Sequence, residues 1–245
     1  TVFNRLEQFY LLNQSTEKVE LIIQGGTFPA FPESYQNEFI MYSFKAMNDF
    51  NFSFEEFKEF FEFPGDITPE RTKRVQEKIL QRKGTSTLEK EQRRNETAKV
   101  RCIGLTIETK PDWSKKEHAN LMLEQGCTRV ELGVQTTNNE VLQKINRGHT
   151  LEDTKEAFRI LKDLGFKVHA HMMLGLPGDE NNLMSIFEEE FRPDMLKIYP
   201  CMVLPGTELE KMYKKGEFTP IRTEEVIKIL AEFKQKVPKY VRIMR

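Results

Sequence analysis

Three observations predict an α/β fold built on a largely parallel sheet. Short apolar or alternating runs recur along the 245 residues with helical-period segments between them. The last four runs begin 29, 38 and 28 residues apart, close to the ~30 residues that a strand, a crossover helix and a return strand require. Each run also separates, at period two, into an apolar face and a small or polar face.

The strands are expected at Val19–Gln24, Val100–Glu108, Arg129–Gln135, Lys167–Met173 and Met195–Tyr199. Helix punctuation fits this frame. Leu151–Leu164 has Thr150 as N-cap, Asp153 three residues on and Gly165 as terminator; Lys115–Gln125 runs into Gly126. A last helix is expected from Glu224 to Lys236, before Pro238. The first two strands are separated by about 75 residues, too many for one crossover, which marks a helical insertion at about residues 50–98. Phe50, Phe52, Phe54, Phe57, Phe60, Phe61 and Phe63 crowd its start and are expected to pack as a helical core there.

The apolar strand face carries Val19, Leu21 and Ile23; Arg101, Ile103, Leu105 and Ile107; Val130, Leu132 and Val134; Val168, Ala170 and Met172; Leu196 and Ile198. With Arg101 as the exception, this is the face that packs on helices. The opposite face carries Lys18, Glu20, Ile22 and Gln24; Cys102, Gly104, Thr106 and Glu108; Arg129, Glu131, Gly133 and Gln135; Lys167, His169, His171 and Met173; Lys197 and Tyr199. A closed βα barrel fills its interior with bulky branched side chains, so a small and ionisable interior points to space for a ligand. The alternative is a ligand-free network of Lys–Glu pairs, which costs desolvation and adds little stability. Gly25-Gly26-Thr27 just beyond the first strand, and the Gly175 and Gly178 turn after the fourth, allow close backbone approach. His169 and His171 point to the same side of their strand, a geometry that suits a divalent ion, but His118 and His149 fall elsewhere and no Asp closes the last strand, so no metal site is assigned.

Composition sets the outer bounds. The 37 basic and 38 acidic residues nearly cancel, which excludes a uniformly basic nucleic-acid coat, yet Arg71–Arg101 holds eleven Lys or Arg against four Glu, a local net of +7. This stretch is either a solvated helical face or an RNA-phosphate contact. Three dispersed cysteines, Cys102, Cys127 and Cys201, with no C-x-x-C pair, argue for a reducing cytoplasmic setting, and no run approaches 18 apolar residues, so a soluble protein is expected. Because Thr1 is not an initiator Met and the chain opens directly into an amphipathic pattern, further residues are expected upstream.

Several motifs occur in order: Lys18-Val19-Glu20, Gly25-Gly26-Thr27-Phe28, Arg101 through Asp112, Gly126 through Gln135, Asn146-Arg147-Gly148-His149-Thr150, His171-Met172-Met173, Phe191-Arg192-Pro193-Asp194 and Leu196-Lys197-Ile198-Tyr199-Pro200. Together they closely resemble the radical S-adenosylmethionine domain of the Elongator catalytic-subunit family, over almost the whole chain. The resemblance implies a partial βα barrel across residues 1–245, holding S-adenosylmethionine and a four-iron cluster, followed in the family by an acetyltransferase-like domain that takes acetyl-CoA. It implies carboxymethyl-type modification at carbon 5 of the tRNA wobble uridine, initiated by a 5′-deoxyadenosyl radical acting on the acetyl group. Carried over by motif, Gly25, Gly26 and Thr27 lie near the methionine moiety, Glu108 and Gln135 are polar strand-end contacts, and Arg147 meets the methionine carboxylate. His171 and Met172 border the adenine, and Lys18 and Lys167 handle acetyl-CoA as candidate catalytic residues. The family's three-cysteine cluster loop and its acetyltransferase domain are not matched by these residues, so this chain alone is expected not to generate the radical. Expected partners are tRNA, acetyl-CoA and other Elongator subunits or a second copy. A tRNA- and acetyl-CoA-binding module without radical chemistry, and a radical enzyme of the tetrapyrrole-oxidising type, stand as alternatives.

Overall fold

The computed structural model describes residues 1–51 and 53–245; Phe52, one of the clustered phenylalanines, lies outside the described residues. Six strands form one sheet in the order β1 to β6: Lys18–Ile23, Arg101–Thr109, Arg129–Gln135, Lys167–Leu174, Met195–Pro200 and Arg242–Ile243. From β2 to β6 each neighbouring pair is parallel. The five anticipated strands agree with those observed to within one residue at either end. The short β6 was not anticipated, because two residues carry no periodicity.

The chain divides into two compact units, one comprising residues 1–21 and 31–105, the other residues 22–30 and 106–245. In the first unit, four helices fill the connection between β1 and β2: α2 (Glu33–Asp49), α3 (Phe54–Phe61), α4 (Pro69–Lys83) and α5 (Leu88–Asn95), preceded by α1 (Val2–Leu11). The helical segment thus starts well before residue 50. Helix α2 buries Ile40, Met41, Phe44 and Met47 along one stripe and packs on α5. Phe50 and Phe57 are buried as expected of a helical core, whereas Phe63 is exposed. Ile103, on the apolar strand phase, is 56% exposed.

The second unit follows the sequence pattern closely. Helices α6 (Lys116–Glu124), α7 (Asn139–Lys144), α8 (Leu151–Asp163), α9 (Glu208–Lys214) and α10 (Thr223–Lys234) succeed one another between and after the strands. Val130, Leu132 and Val134, with Val168, Ala170 and Leu196, are fully buried, and α8 packs on β4 through a face that buries Ala157, Phe158 and Leu161. At the start of α8, Thr150 Oγ1 accepts the Asp153 N–H at 3.2 Å while Asp153 accepts the Thr150 N–H at 2.9 Å, a reciprocal cap. Asp153 also takes Lys115 Nζ at 2.8 Å. No described helix is long and apolar enough to cross a membrane.

Removing the Thr150 hydroxyl leaves the Asp153 amide unsatisfied at a site with no core packing to confound the result. Thr150→Ala is expected to lower the unfolding free energy by about 1 kcal/mol, read in urea titration as a lower midpoint at unchanged slope.

Candidate functional site

Alternation along β2 to β5 puts Glu108, Glu131, His169, His171 and Lys197 on one face of the second unit. Strand register sets Glu108 beside Glu131, Glu131 beside His169, and His171 beside Lys197. Glu131 is 1% exposed, and both of its oxygens are occupied. Oε1 lies 3.0 Å from His169 Nδ1; Oε2 lies 2.9 Å from His171 Nε2 and accepts from Lys197 Nζ at 2.6 Å. Burial alone would raise the Glu131 pKa, but the hydrogen bonds from His169, His171 and Lys197 outweigh it and hold the carboxyl far below its ordinary range. The His169 pKa is pushed down by burial, against the pull of Glu131; beside the ionised Glu131 oxygen its Nδ1 is the donor, and its buried Nε2 has no partner among the described residues. The chain continues outward: His171 Nδ1 lies 3.2 Å from Glu108 Oε1, and Glu108 Oε2 accepts the Gly25 N–H at 3.3 Å.

Glu131, His169 and His171 offer ligand atoms within 4.8 Å of one another, a spacing open to a divalent ion. Against that use stands the Lys197 ammonium, which already sits on the carboxylate oxygen an ion would need and would be repelled by it. The cluster is accordingly a charge-paired network with one Lys–Glu pair, Lys197 with Glu131, and two histidines on the same carboxylate.

A second polar group gathers at the ends of β2 and β3. After α7 the chain turns through Asn146 (φ +50°) and Gly148 (φ +85°), which delivers Arg147 and His149 inward. Arg147 donates to the Gly133 carbonyl at 3.0 Å. A Cβ at position 133 would collide with the Arg147 guanidinium and crowd the Gln135 amide, so glycine there is a condition of the arrangement. Gln135 itself takes φ +71° where the β3–β4 register shifts, a cost a non-glycine residue bears at few positions. Lys110 pairs with Asp112 at 3.2 Å. Burial pushes the Arg147 pKa down, partly countered by Asp112. Burial and then Arg147 push His149, 5% exposed, down to about 4. Thr109 Oγ1, Asp112 Oδ1, Arg147 Nε and both His149 ring nitrogens are buried with no partner among the described residues. Buried polar atoms are nearly always satisfied, so this concentration marks a place shaped for a polar guest. Guanidinium N–H groups beside a free carboxylate oxygen suit the two ends of an amino-acid zwitterion.

The remaining sequence candidates fall as follows. Gly25 (φ +95°) and Gly26 (φ +66°) form a turn with open space where Cβ atoms would stand, and Thr27 is half-buried beside them. Met172 is 2% exposed on the apolar phase and, with Gln135, borders a cleft of about 500 Å³ that Asn138, Asn181 and Ser185 also line. Lys167 opens β4, exposed, with Nζ 3.5 Å from Asp194, four positions before His171; among the described residues it takes no part in the Glu131 network. Lys18 opens β1 in the other unit, also exposed. Cys102, Cys127 and Cys201 stand on separate elements with thiols held up by burial, Cys127 to about 12, which does not fit them as cluster ligands. Sequence reasoning missed Glu131, Lys197, His149 and Asp112 as site residues. The polar strand phase contained the first two, and the Asn146–Thr150 motif the third.

Between its unfolded pKa near 6.5 and its folded value near 4, His149 takes up a proton in the unfolded chain only. Its contribution is therefore complete above about pH 6.5 and lost as pH falls towards 4. Urea unfolding at pH 7.5 and 5 should show a smaller acid loss in His149→Gln than in the wild type; the remaining loss belongs partly to His169, which is depressed in the same direction.

Residues 13–188 match the family model for the Radical SAM superfamily, and residues 193–245 that for the Radical_SAM C-terminal domain. Among curated relatives, a tRNA uridine(34) acetyltransferase of Methanocaldococcus jannaschii is 43% identical over 98% of this chain and 40% of its own length. Elongator complex protein 3 of Mus musculus is 34% identical over 99% of this chain and 39% of its own length. The chain thus spans about two fifths of the relatives it matches. A solved structure, the archaeal Methanocaldococcus infernus Elp3 with N-terminus deletion (1-46), covers all of this chain and 51% of that chain at 41% identity with a TM-score of 0.83. The polar sheet face, the glycine turn after β1 and the Arg147 pocket at the strand ends thus stand on a parallel partial barrel, and the chain belongs to the radical S-adenosylmethionine superfamily.

Proposed function

We propose that this chain is the S-adenosylmethionine-binding barrel of an enzyme that modifies carbon 5 of the tRNA wobble uridine, with acetyl-CoA as the source of the added carboxymethyl-type group. The observation that carries the reading is the set of buried, unpartnered polar atoms around Arg147, with the zwitterion chemistry they suit. The substrate class comes from the relatives' names, tRNA uridine(34) acetyltransferase and Elongator complex protein 3. Superfamily membership implies S-adenosylmethionine and a four-iron–four-sulfur cluster, and when bound these supply one-electron hydrogen-atom abstraction.

Arg147, anchored by one nitrogen on the Gly133 carbonyl, has N–H groups left for the cofactor carboxylate, and Asp112 Oδ1 is free to accept its ammonium. The turn at Gly25, Gly26 and Thr27 admits the cofactor without Cβ interference, and Glu108 and Gln135 meet its hydroxyl and amine groups. Met172 adds apolar surface beside the adenine, and His171 borders it. In this reading Lys18 and Lys167 handle acetyl-CoA, where an ammonium offsets charge developing on a thioester oxygen. Asp194, held by Lys162 at 2.8 Å, would keep Lys167 in place.

The basic helices contribute tRNA contact. Much of their charge is already paired: Arg74 and Lys78 with Glu62, Arg93 with Glu89, Arg94 with Asp49 and Glu91. Lys73, Lys90 and Lys99 are exposed and are the better candidates for phosphate. A cytoplasmic enzyme working with further Elongator-type subunits or a second copy completes the reading.

The test uses the full-length protein, reconstituted anaerobically and assayed for 5′-deoxyadenosine with tRNA and acetyl-CoA present. tRNA-stimulated product supports the reading; bound tRNA with no product makes the barrel a binding platform. In the same preparation, Arg147→Lys should weaken S-adenosylhomocysteine at least about tenfold by calorimetry, because an ammonium cannot reproduce the guanidinium fork. Reversing Lys73 and Lys90 to Glu should lower tRNA affinity and make its salt slope shallower by about one to two units; an unchanged slope assigns both lysines to solvent.

A further inference from the structure

The segments that follow β3 and β4 enclose the cleft of about 500 Å³ that Gln135 and Met172 border. Asn138, Asn139 and Asn181 line it, and each has its amide oxygen committed to the backbone. Asn138 Oδ1 accepts the N–H of Glu140 at 2.9 Å and of Val141 at 3.3 Å; Asn139 Oδ1 accepts the Leu151 N–H at 3.1 Å; Asn181 Oδ1 accepts the Gly175 N–H at 2.6 Å. A backbone N–H can be answered only by the oxygen end of an amide, so these bonds fix how all three carboxamides are turned. Their Nδ2 groups have no partner among the described residues, and what the three side chains still offer is donors alone.

The remaining ionisable groups of the lining are acids. Asp179 accepts the Asn181 N–H through Oδ1 at 3.1 Å and has a second oxygen to offer, Glu140 and Glu180 are exposed, and no Lys, Arg or His stands among the described lining residues. Such a wall repels a phosphate or a carboxylate, so its donors suit a neutral guest that carries carbonyl oxygens. Met172 and Met173 add polarisable apolar surface for a flat ring. Uracil has this character, since its imide edge presents two carbonyl oxygens flanking one N–H and calls for donor, acceptor, donor. Adenine is served less well, because its paired donor and acceptor take both ends of one amide, and here the oxygen ends are already used. Cytosine replaces one carbonyl by an amino group and the ring N–H by an acceptor, which reverses two of the three demands.

We propose that this cleft is a uracil subsite: the base to be modified, turned out of its stack, lies against Met172 and Met173 with its carbonyl oxygens to the Nδ2 groups of Asn138 and Asn181 and its ring N–H to Asp179. The proposal rests on the reading above that a tRNA uridine is the substrate, and it assigns the recognition of the base to residues that reading does not use. Holding the imide edge leaves carbon 5, on the other edge of the ring, open to chemistry.

The experiment removes the donors and keeps the scaffold. Asp matches Asn in shape, retains the oxygen that caps α7 or takes the Gly175 N–H, tolerates the φ of +58° at position 181, and, ionised, does not donate. Full-length protein saturated with S-adenosylhomocysteine is titrated with an anticodon stem-loop carrying U at the wobble position and with the same RNA carrying C there. Wild type should prefer U by about tenfold, and the double variant Asn138→Asp, Asn181→Asp should reduce that preference to less than about twofold. The ratio is the readout because added negative charge weakens both RNAs alike. By calorimetry without RNA, the double variant should bind S-adenosylhomocysteine within about twofold of wild type. Equal binding of U and C by wild type, or a U preference that survives in the double variant, overturns the subsite. So does a loss of S-adenosylhomocysteine affinity of about tenfold or more, which gives the cleft to the cofactor. Wild type that binds neither RNA overturns the tRNA reading beneath it. Should the double variant fail to fold, a stem-loop with 4-thiouridine at the wobble position, irradiated on the unaltered protein, decides: cross-links within residues 135–140 or 179–185 support the subsite, and cross-links confined to other segments overturn it.

Discussion

The buried Glu131 carboxylate organises the second unit. Taking a carboxylate out of water costs several kcal/mol, and only well-placed donors recover it. Here three donors do so, two from β4 and one from β5, and none is replaceable by water at a residue 1% exposed. The consequence is positional. A strand slip of one residue would send Glu131 into the apolar phase beside Leu132 and Val130 and leave Lys197 and His169 without their partner. The network therefore specifies β3–β4–β5 register more than it adds net stability. It also explains why so many ionisable side chains on one face remain compatible with a folded core.

A second constraint is steric. Gly133 lies two residues beyond Glu131 on the same face, and the absence of its side chain is what lets Arg147 lie across the β3 backbone. The same strand thus carries a deep carboxylate with both oxygens paired and, nearer its C-terminal end, a shallow cluster rich in unsatisfied atoms. The two have different physical roles. Paired charges hold their geometry whatever binds nearby, whereas atoms left without partners gain most from a guest that satisfies them. His171 and Glu108 connect the first kind to the Gly25 turn.

How much of this was legible in the sequence depended on periodicity. β3 was read from Arg129 to Gln135, as observed, because seven alternating residues between turn signals leave one assignment. The cap at Thr150 was readable because Asp153 stands three residues later. Helix α2 was not, since its charged residues dilute a stripe whose burial only the fold reveals. The polar phase of β2 to β5 identified Glu131, His169 and Lys197 as facing the same way, but who pairs with whom depends on register, which no single strand encodes. His149 was hidden for another reason: a loop histidine in sequence becomes a buried one only after Asn146 and Gly148 adopt positive φ. Lys18 and Lys167 were grouped by the family resemblance, and nothing local to either strand start could have shown Lys167 turned to Asp194.

The electrostatics of the polar face also bear on what it can host. The buried Glu131 carboxylate is compensated within the face, by the Lys197 ammonium at 2.6 Å and by hydrogen bonds with His169 and His171. Near the strand ends the balance differs. Arg147 and Lys110 against Asp112 leave one positive charge, and His149, held neutral by burial, adds none at neutral pH. A carboxylate is the group that local excess would orient, towards Arg147, and the excess follows from which residues of β2 and β3 fall within reach of that guanidinium.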